Sequence, residues 1–442
     1  FDVATRSDRG LPITVPDDGL WKRPRRISVG DRVEGFALSP KGKRALFVAR
    51  GEVFSAPVEH GPTRNLTRSS GARDRSAAWS PDGTTVAYLS DTGGEDQIWL
   101  VDQMGTDEPR ALTKPHDTRI YGLEWSPDGE RIAYGDAQGR LWVVTVDDGS
   151  VALAADDPWG AIGGADWSPD GRFLTFSVRN EAGFSTIHIW GVADGRLRQV
   201  TSDLFDASSP SWGPEGDYLF YVSEHHHAPQ ISNLEWNYAG NERQGIYALA
   251  LRRDVGPVLP PRSDEVTIEK DEEKTDAEDD KAKSEDEPSE ELEIDFDGLA
   301  DRVMALPVEP GNYSQLHAVK GHLLYASSGA FFYGRGPSRP TSIQLFSFEK
   351  RESSELVSGA QGGALSADGT KLLVRTRGGF QRYDVKPGGG TPTAVSTADL
   401  QMDLDPEAEW RQIFGETWRQ FRDFFYVANM HGYDWEAIGE RY

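Results

Sequence analysis

A five-residue segment, Trp-Ser-Pro-Asp-Gly, recurs along this chain and constrains its fold more than any other feature. Three identical copies and three variants begin at Trp79, Trp125, Trp167, Trp212, Leu38 and Leu365. From Pro40 to Pro214, successive proline positions lie 41, 46, 42 and 45 residues apart. Because a period of this length is typical of a four-stranded propeller blade, the repeat predicts one blade per copy.

The residues around each copy agree with that prediction. Proline fixes φ and glycine tolerates positive φ, so each copy predicts a tight turn between two strands. In one repeat the turn is followed by the β-rich runs Val86–Leu89, Gln97–Val101 and Arg110–Thr113. Near-continuous apolar runs indicate strands covered on both faces, as in radially stacked sheets. The 153 residues from Pro214 to Ala367 amount to about two blade periods plus an insertion, so one further blade fits between the last two copies. We therefore predict an all-β fold, a seven-bladed β-propeller with four-stranded blades over residues 28–398, and interpret the tryptophan before each turn as packing core.

The composition excludes several classes of function. The 442 residues include 72 acidic and 47 basic side chains and no cysteine. Without cysteine there are no disulfides, zinc–thiolate sites or cysteine nucleophiles. A net charge of −25 argues against nucleic acid and anionic membranes as partners. No apolar run approaches the length that spans a bilayer.

The charge is concentrated in one segment. Residues 263–297 hold 18 acidic side chains and four lysines, so this segment contributes 4 − 18 = −14 of the net charge of −25. Such a run repels itself and buries too little to offset its ordering entropy. The sequence thus predicts a disordered acidic insertion over residues 263–293, placed between two blades, with a further blade beginning at Ile294.

The sequence pattern changes to a helical one after Asp405. Asp405 is a predicted N-cap and Pro406 a first helical residue. Apolar residues then recur with helical spacing at Trp410, Ile413, Phe414, Thr417, Phe421, Phe424 and Phe425. Polar residues predicted to face away from this stripe are Arg411, Glu416, Arg419, Gln420 and Arg422. We expect residues 405–442 to begin a helical domain that is truncated here, with the apolar stripe packing on a following domain.

Three clusters are candidates for chemistry. His431 follows the predicted helix, and we interpret it as a turn residue. Glu224-His225-His226-His227 lies in a predicted loop, and three adjacent histidines do not all reach one ion from a strand; we interpret it as a polar loop. The basic run Lys22–Arg26 is interpreted as a linker that contacts acidic surface.

The combination of these segments resembles the tricorn proteases. Beyond the repeats, which resemble TolB-type and prolyl-oligopeptidase-type propellers in general, the segments Ile294–Val308, Glu409–Phe414 and Arg422–Gly432 are similar to that family. The resemblance implies that residues 1–27 are the end of a preceding propeller or a linker. It also implies that residues 28–398 are the family's seven-bladed propeller and 405–442 the start of its helical domain.

The same resemblance implies a function. Tricorn proteases are serine peptidases with PDZ and catalytic domains after the helical domain, and no position here matches the family's catalytic His, Ser or acid. We therefore assign no catalytic residue, no metal site and no cofactor, and leave substrate-binding residues unassigned. The implied role is to filter unfolded peptides on their way to an active site outside this chain. The implied setting is a large homo-oligomer, hexameric by analogy, in the cytoplasm.

Two other functions remain open at this point. A TolB-like, non-enzymatic propeller that binds a protein partner fits the repeats, although such a scaffold has no use for an unfinished amphipathic helix. A prolyl-oligopeptidase relative requires a following α/β-hydrolase domain, which the Trp- and Phe-rich tail fits poorly.

Overall fold

The computed structural model describes residues 18–157, 160, 162–226, 229–231, 238–262, 291–331, 336–427 and 429–442. Within these residues, seven antiparallel four-stranded sheets follow one another along the chain, and strands pair in sequence order within each. The first strands of most neighbouring sheets lie side by side, which places them innermost in a ring. The predicted seven-bladed β-propeller is confirmed, and the sheets are called blades 1 to 7 in chain order.

The strands of the blades are two to eight residues long. The strands of blades 1 to 4 are Val33–Leu38, Arg44–Ala49, Glu52–Pro57 and Arg64–Asn65; Arg75–Trp79, Thr85–Ser90, Gln97–Asp102 and Arg110–Ala111; Ile120–Trp125, Arg131–Asp136, Arg140–Thr145 and Val151–Asp156; and Gly163–Trp167, Phe173–Arg179, Ser185–Gly191 and Leu197–Gln199. The strands of blades 5 to 7 are Ala207–Trp212, Tyr218–Ser223, Gly245–Ala250 and Val303–Ala305; Asn312–Val319, His322–Ser328, Ser342–Ser347 and Glu352–Ser358; and Gly362–Leu365, Lys371–Thr376, Gly379–Asp384 and Thr393–Val395.

The repeated segment forms the turn between the first and second strands of a blade. In blade 4, the Ser168 hydroxyl donates to the Asp170 carboxylate at 2.7 Å and accepts from the Phe173 backbone N–H at 2.9 Å. Asp170 also accepts from the Arg172 backbone N–H, and Gly171 has φ of 70°. The serine and aspartate of the repeat therefore satisfy backbone groups of the turn, which explains why both recur with the proline and glycine.

The acidic insertion lies within blade 5, and the prediction that it lies between two blades was wrong. Its third strand, Gly245–Ala250, pairs with Val303–Ala305, so the acidic run interrupts one blade and does not separate two. Residues 263–290 lie outside the described residues. The chain is described again from Glu291, and Leu292 and Ile294 pack in the core between blades 4 and 5. The expectation that a new blade begins at Ile294 was wrong, because sheet pairing across an insertion is not visible in local sequence.

Seven hydrophobic clusters occupy the seven junctions between neighbouring blades in the described part of the chain. Between blades 3 and 4, for example, Leu141, Phe176 and Trp190 are buried together. The side chains before three of the turns are each less than 10% exposed: Trp79, Trp167 and Trp212. For these three, the interpretation as packing core is confirmed. The core is thus a ring of interfaces with a channel at its centre.

The ring closes without a blade that combines strands from the two ends of the chain. Blades 1 and 7 are each built from one continuous segment. Two strands outside the blades, Arg25–Ser28 and Gln401–Leu404, pair antiparallel beside the junction. Phe47 and Phe380 meet edge to face across this junction, with ring centroids 4.8 Å apart. Closure therefore depends on side-chain packing and on one short strand pair.

The remaining elements are short. A second strand pair, Pro229–Ile231 with Tyr238–Gly240, follows the second strand of blade 5. The described 3₁₀ helices are Leu20–Lys22, Leu299–Asp301 and Met430–Gly432. Helix α1 spans Pro406–Phe424 and helix α2 spans Trp435–Arg441. The predicted start of α1 is confirmed, since the Asp405 carboxylate accepts from the backbone N–H groups of Glu407 and Ala408.

Candidate functional site

The innermost strands of the blades carry polar residues on one side of the ring and alanines at the equivalent positions on the other side. The innermost strands carry equivalent residues three positions before each turn proline or its counterpart, and each pairs with the second strand of its blade. In blades 3 to 6 these residues are Glu124, Asp166, Ser211 and His317. In blades 7, 1 and 2 they are Ala364, Ala37 and Ala78. We call these seven residues the channel ring.

Two carboxyl groups of the channel ring lie close enough to influence one another. Asp166 accepts a hydrogen bond from the Trp212 backbone N–H at 2.8 Å, but burial still raises the pKa of Asp166 to about 6. Burial, and then the charge of Asp166, raise the pKa of Glu124 to about 8. Solvent reaches Glu124 along the channel, so water screens part of this effect. Near neutral pH the pair therefore holds fewer than two negative charges.

The polar half of the channel ring offers hydrogen bonds but no activated nucleophile. The Ser211 hydroxyl accepts from the Ala318 backbone N–H at 3.1 Å and is also bonded to Asp166. The surrounding protein desolvates His317 and lowers its pKa, and although solvent reaches the side chain, the imidazole is neutral near pH 7. Within the described residues no hydrogen bond joins Ser211 to His317, so the ring lacks a serine paired with a histidine base. What this surface can do is bind polar groups reversibly.

A side cavity adjoins the channel between blades 6 and 7. Its volume is about 250 Å³. Its lining is neutral, with Ile343 among small and amide residues that include Ser314, Gln315, Ser328, Thr341 and Gln361. Gln315 has φ of 52°, a conformation that costs free energy for a residue with a side chain. The cavity is therefore an uncharged recess between blades 6 and 7.

Helix α1 is bound to blades 1 to 3 by ion pairs. Arg50 donates to both carboxylate oxygens of Glu409, at 2.7 and 3.0 Å. Arg422 contacts Glu95 in the same bidentate way, at 2.6 and 2.9 Å. Further charged pairs join Glu416 to Arg73 and Arg119, and Arg419 to Asp91.

Glu416 is the centre of this interface. Burial by itself would raise the pKa of Glu416, but hydrogen bonds from Arg119 and Gln412 and the charge of Arg73 lower it to about 2. Its side chain is 13% exposed. A carboxylate held between two guanidinium groups is strongly favoured in its charged form. The helix is therefore fixed to the propeller by a cluster of charges. These charges are paired only while α1 contacts the blades.

This arrangement corrects the expected orientation of α1. Glu416, Arg419 and Arg422, predicted to face away from the packed stripe, are the residues that bind the propeller. Arg411 does point outward, with its side chain 78% exposed. The apolar stripe remains largely exposed in the described residues, with 37 to 55% exposure at Trp410, Ile413, Phe414, Phe421 and Phe424. Trp21 packs on Trp410, and Trp435 packs on Phe421.

The histidine candidates are placed in aromatic surroundings. His225 stacks on Phe205, with ring centroids 4.1 Å apart, and packs on Tyr247. Burial, and then His226, lower the pKa of His225. Glu224 pairs with Arg243 at 2.5 Å and is thus engaged elsewhere. His227 lies outside the described residues.

His431 and the basic run are also accounted for. His431 contacts the Tyr426 hydroxyl and has φ of 56°, as expected for a turn residue. Lys22 lies 3.5 Å from Glu407, and Arg26 lies 3.8 Å from Asp403. The expected contacts with acidic side chains are confirmed for these two residues, but Arg26 lies in the paired strand Arg25–Ser28 and not in a linker.

The channel ring is the functional surface that sequence reasoning missed. The signal was present, since aligning the copies on their turn proline brings Glu124, Asp166 and Ser211 into one column. The ion pairs of α1 had no such signal, because Glu416 and its partners Arg73 and Arg119 are separated by about 300 residues.

The fold and site define a β-propeller domain with a central channel and a helical extension bound across one face. Comparison with known families is consistent with this. The family model described as tricorn protease second beta propeller domain matches residues 33–386, and that described as tricorn protease C1 domain matches residues 406–442. The chain belongs to the tricorn protease family.

Individual relatives agree with the family assignment. A tricorn protease homolog of Saccharolobus solfataricus is 23% identical over all of this chain and 39% of its own length. Tricorn protease homolog 1 of Streptomyces coelicolor is 26% identical over 96% of this chain and 42% of its own length. The chain therefore spans about two fifths of the curated relatives it matches.

A solved structure has the same fold. The crystal structure of the tricorn protease superposes with a TM-score of 0.78 at 18% identity, over 97% of this chain and 40% of that chain. Among the helices described here, none has both the length and the apolar character needed to cross a membrane.

Proposed function

We propose that this chain is the channel-forming propeller of a tricorn-like serine peptidase, and that it admits unfolded peptides to an active site in domains outside this chain. The observation that carries the proposal is the consecutive match to the family's second propeller and C1 domain. The channel ring supports it, because a polar half and an alanine half suit passage of an extended chain without tight binding.

The chemistry of the whole protein would be acyl transfer. A serine hydroxyl, assisted by a histidine base, attacks the peptide carbonyl, and backbone N–H groups stabilise the oxyanion. The residues of this chain do not take part in these steps. Their role is to select which polypeptides reach the nucleophile, by channel width and by hydrogen bonds with Glu124, Asp166 and His317.

The uncovered stripe of α1 supports a further part of the proposal. Five large apolar side chains are exposed on one helix face, and such a patch is typical of an interface. We propose that this stripe packs on the rest of the helical domain, and that PDZ and catalytic domains follow it. By family analogy, the protein assembles as a homo-oligomer in the cytoplasm.

Peptidase assays on two lengths of the protein test the proposal. The 442-residue chain is expected to leave fluorogenic tri- and tetrapeptides intact. The protein extended beyond Tyr442 through its catalytic domain is expected to cleave them and to lose activity with a serine-reactive fluorophosphonate. The control is the same extended protein with its nucleophilic serine replaced by alanine.

Two outcomes would contradict the proposal. Hydrolysis by the purified 442-residue chain would place an active site within it. An extended protein that is folded but inactive on all such peptides would instead favour the TolB-like scaffold.

A further inference from the structure

The uncharged recess between blades 6 and 7 extends to the channel ring. Its outer part has a volume of about 250 Å³. An inner part of about 20 Å³ shares Gln315, Ala326 and Ile343 with it and is also lined by His317 of the channel ring. The outer volume lies just below the range of about 300–1,000 Å³ that is typical of pockets for drug-sized ligands. The recess is therefore a side pocket of the channel, and its size suits a short stretch of peptide.

Small residues on both blades leave this space open. A Cβ atom at Gly363, in the first strand of blade 7, would lie 3.4 Å from Ile343 and 3.5 Å from Leu372. Both of these residues line the inner part of the recess. Ala326 and Ale360 line the outer part, and their side chains are equally short. The space therefore follows from the residues at this junction and is present without any movement of the blades.

Gln315 occupies a backbone conformation that favours glycine. Two positions before the channel ring, the innermost strands of blades 2 to 6 have a bulge, and the bulged residue has φ of 51 to 66° in each: Ser76, Gly122, Gly164, Ser209 and Gln315. A long side chain in this conformation costs free energy that glycine avoids, and such residues cluster at functional sites. Of the five, only Gln315 has a long side chain, and it is also the one that lines the recess.

The polar side chains of the recess have unused hydrogen-bonding groups. Within the described residues, the amides of Gln315 and Gln361 and the hydroxyl of Ser314 form no hydrogen bond through their side chains. A carboxamide offers both donors and an acceptor. Gln315 lies on blade 6 and Gln361 on the link that leads into blade 7. Together they match the N–H and C=O groups that an extended polypeptide presents.

The lining of the recess determines which side chains it accepts. None of the described residues that line either part carries a charge near pH 7, since His317 is neutral. A charged side chain that leaves water for these surroundings gains no partner of opposite charge, which makes its transfer unfavourable. A small uncharged side chain meets no such penalty, and Ile343 gives it an apolar surface. The recess therefore discriminates against acidic and basic side chains alike.

We propose that this recess holds a small, uncharged residue of a polypeptide that passes through the channel. A peptide group of the polypeptide pairs with the amides of Gln315 and Gln361, and the side chain lies against Ile343. The identity of the polypeptide as a substrate rests on the proposed function, whereas the binding itself does not. The recess thus gives the channel a preference for uncharged, extended segments.

Peptide binding to the 442-residue chain tests the proposal without any proteolysis. The probe is a blocked pentapeptide, acetyl-Ser-Ala-Ser-Ala-Ser-amide, titrated by saturation-transfer NMR at pH 7. Binding in the millimolar range is expected. The same peptide with aspartate or with lysine in place of serine is expected to bind about tenfold more weakly, because its charges are not compensated in the recess.

Two variants locate the binding. Gln315→Gly removes the amide and keeps the backbone conformation, so affinity for the serine peptide is expected to fall about three- to tenfold, while the melting temperature stays the same or rises. Ser209→Gly is the matched control, because Ser209 has φ of 51° at the equivalent position of blade 5 and does not line the recess; affinity is expected to stay unchanged. Ala360→Leu fills the recess and is expected to abolish binding. Thermal unfolding of each variant establishes that it is folded.

Non-specific attraction is the main alternative, because the chain carries a net charge of −25. It predicts that the lysine peptide binds most tightly, and that order of affinities would overturn the proposal. So would the same affinity in Gln315→Gly and Ser209→Gly, or no binding of the serine peptide to the wild-type chain. Failure of the extended protein to cleave peptides would affect the proposed function alone.

Discussion

The junctions between blades and the interface of helix α1 are held together by different physics. Between blades the contacts are apolar, with side chains such as Phe47, Phe176 and Phe346 completely buried. Under α1 the contacts are ion pairs, centred on Glu416 between Arg73 and Arg119. Apolar burial is strong and insensitive to pH, whereas ion pairs are directional and respond to pH and salt.

The difference indicates that the propeller resists unfolding more strongly than helix α1 resists separation from it. The propeller is expected to unfold as a unit when its apolar junctions fail. Helix α1 is expected to separate from it under milder conditions, because its uncovered apolar stripe contributes nothing to binding the blades. The following predictions test this contrast, from the largest expected effect to the smallest.

The apolar junctions should carry the largest single-residue effects. Phe176 is fully buried between blades 3 and 4, so Phe176→Ala is expected to lower the free energy of unfolding by about 3–5 kcal/mol. Urea unfolding followed by tryptophan fluorescence measures this. Phe184→Ala is the control, because Phe184 is 37% exposed on the same blade. Similar small losses for both variants would contradict the apolar account of the junctions.

The α1 interface should fail locally when its central charge is removed. Glu416→Gln leaves Arg73 and Arg119 without their shared counter-charge, and it is expected to lower the free energy of α1 opening by about 1–3 kcal/mol. Hydrogen exchange of the amides in residues 406–424 measures this, while protection in the blades should not change. Glu407→Gln, at a 46% exposed side chain, is the control, with an expected effect below about 0.5 kcal/mol. Loss of protection throughout the propeller would contradict the expected difference between α1 and the blades.

Acid should loosen the same interface. The pKa of Glu416 is lowered from 4.5 to about 2 in the folded protein, so its contribution is present above pH 4.5 and is lost as the pH falls towards 2. Amide protection of α1 is expected to decline through this window in the wild-type chain and to decline less in Glu416→Gln. Identical pH profiles for the two proteins would assign acid sensitivity to other carboxylates.

The channel ring should respond to pH in the opposite direction. The raised pKa of Glu124, about 8 against an ordinary 4.5, means that the folded protein holds a proton that the unfolded chain has released. Stability is therefore lost as the pH rises from 4.5 to 8. Glu124→Gln is expected to raise the free energy of unfolding at pH 8 and not at pH 4, by less than about 1 kcal/mol because solvent reaches the group. Melting temperatures measured at the two pH values test this. Glu130→Gln, 64% exposed, should show no such dependence; a stabilisation independent of pH would exclude the titration of Glu124 as its cause.

The features predicted correctly from the sequence depend on neighbouring residues. The turns of blades 2 to 4 each hold a serine, proline, aspartate and glycine within five positions, and the hydrogen bonds of Ser168 with Asp170 and Phe173 stay within that turn. The start of α1 needs Asp405 and the next three residues only. The channel ring is an intermediate case, since the repeat register aligns Glu124 with Asp166, but their proximity requires blades 3 and 4 to be adjacent in the ring.

By itself, the sequence determined the blade repeat, the number of blades, the helical tail and the resemblance to the tricorn proteases. These depend on hydrogen bonds and apolar spacing over a few residues, and on periodicity. The tertiary structure alone decided which strand follows the acidic insertion, which face of α1 binds the propeller, and which residues line the recess with Gln315. Each of these depends on groups that meet only after the ring has closed, as when Arg422 meets Glu95 across more than 300 positions. An amphipathic helix has two faces that can bind, and its sequence does not say which surface will be nearest.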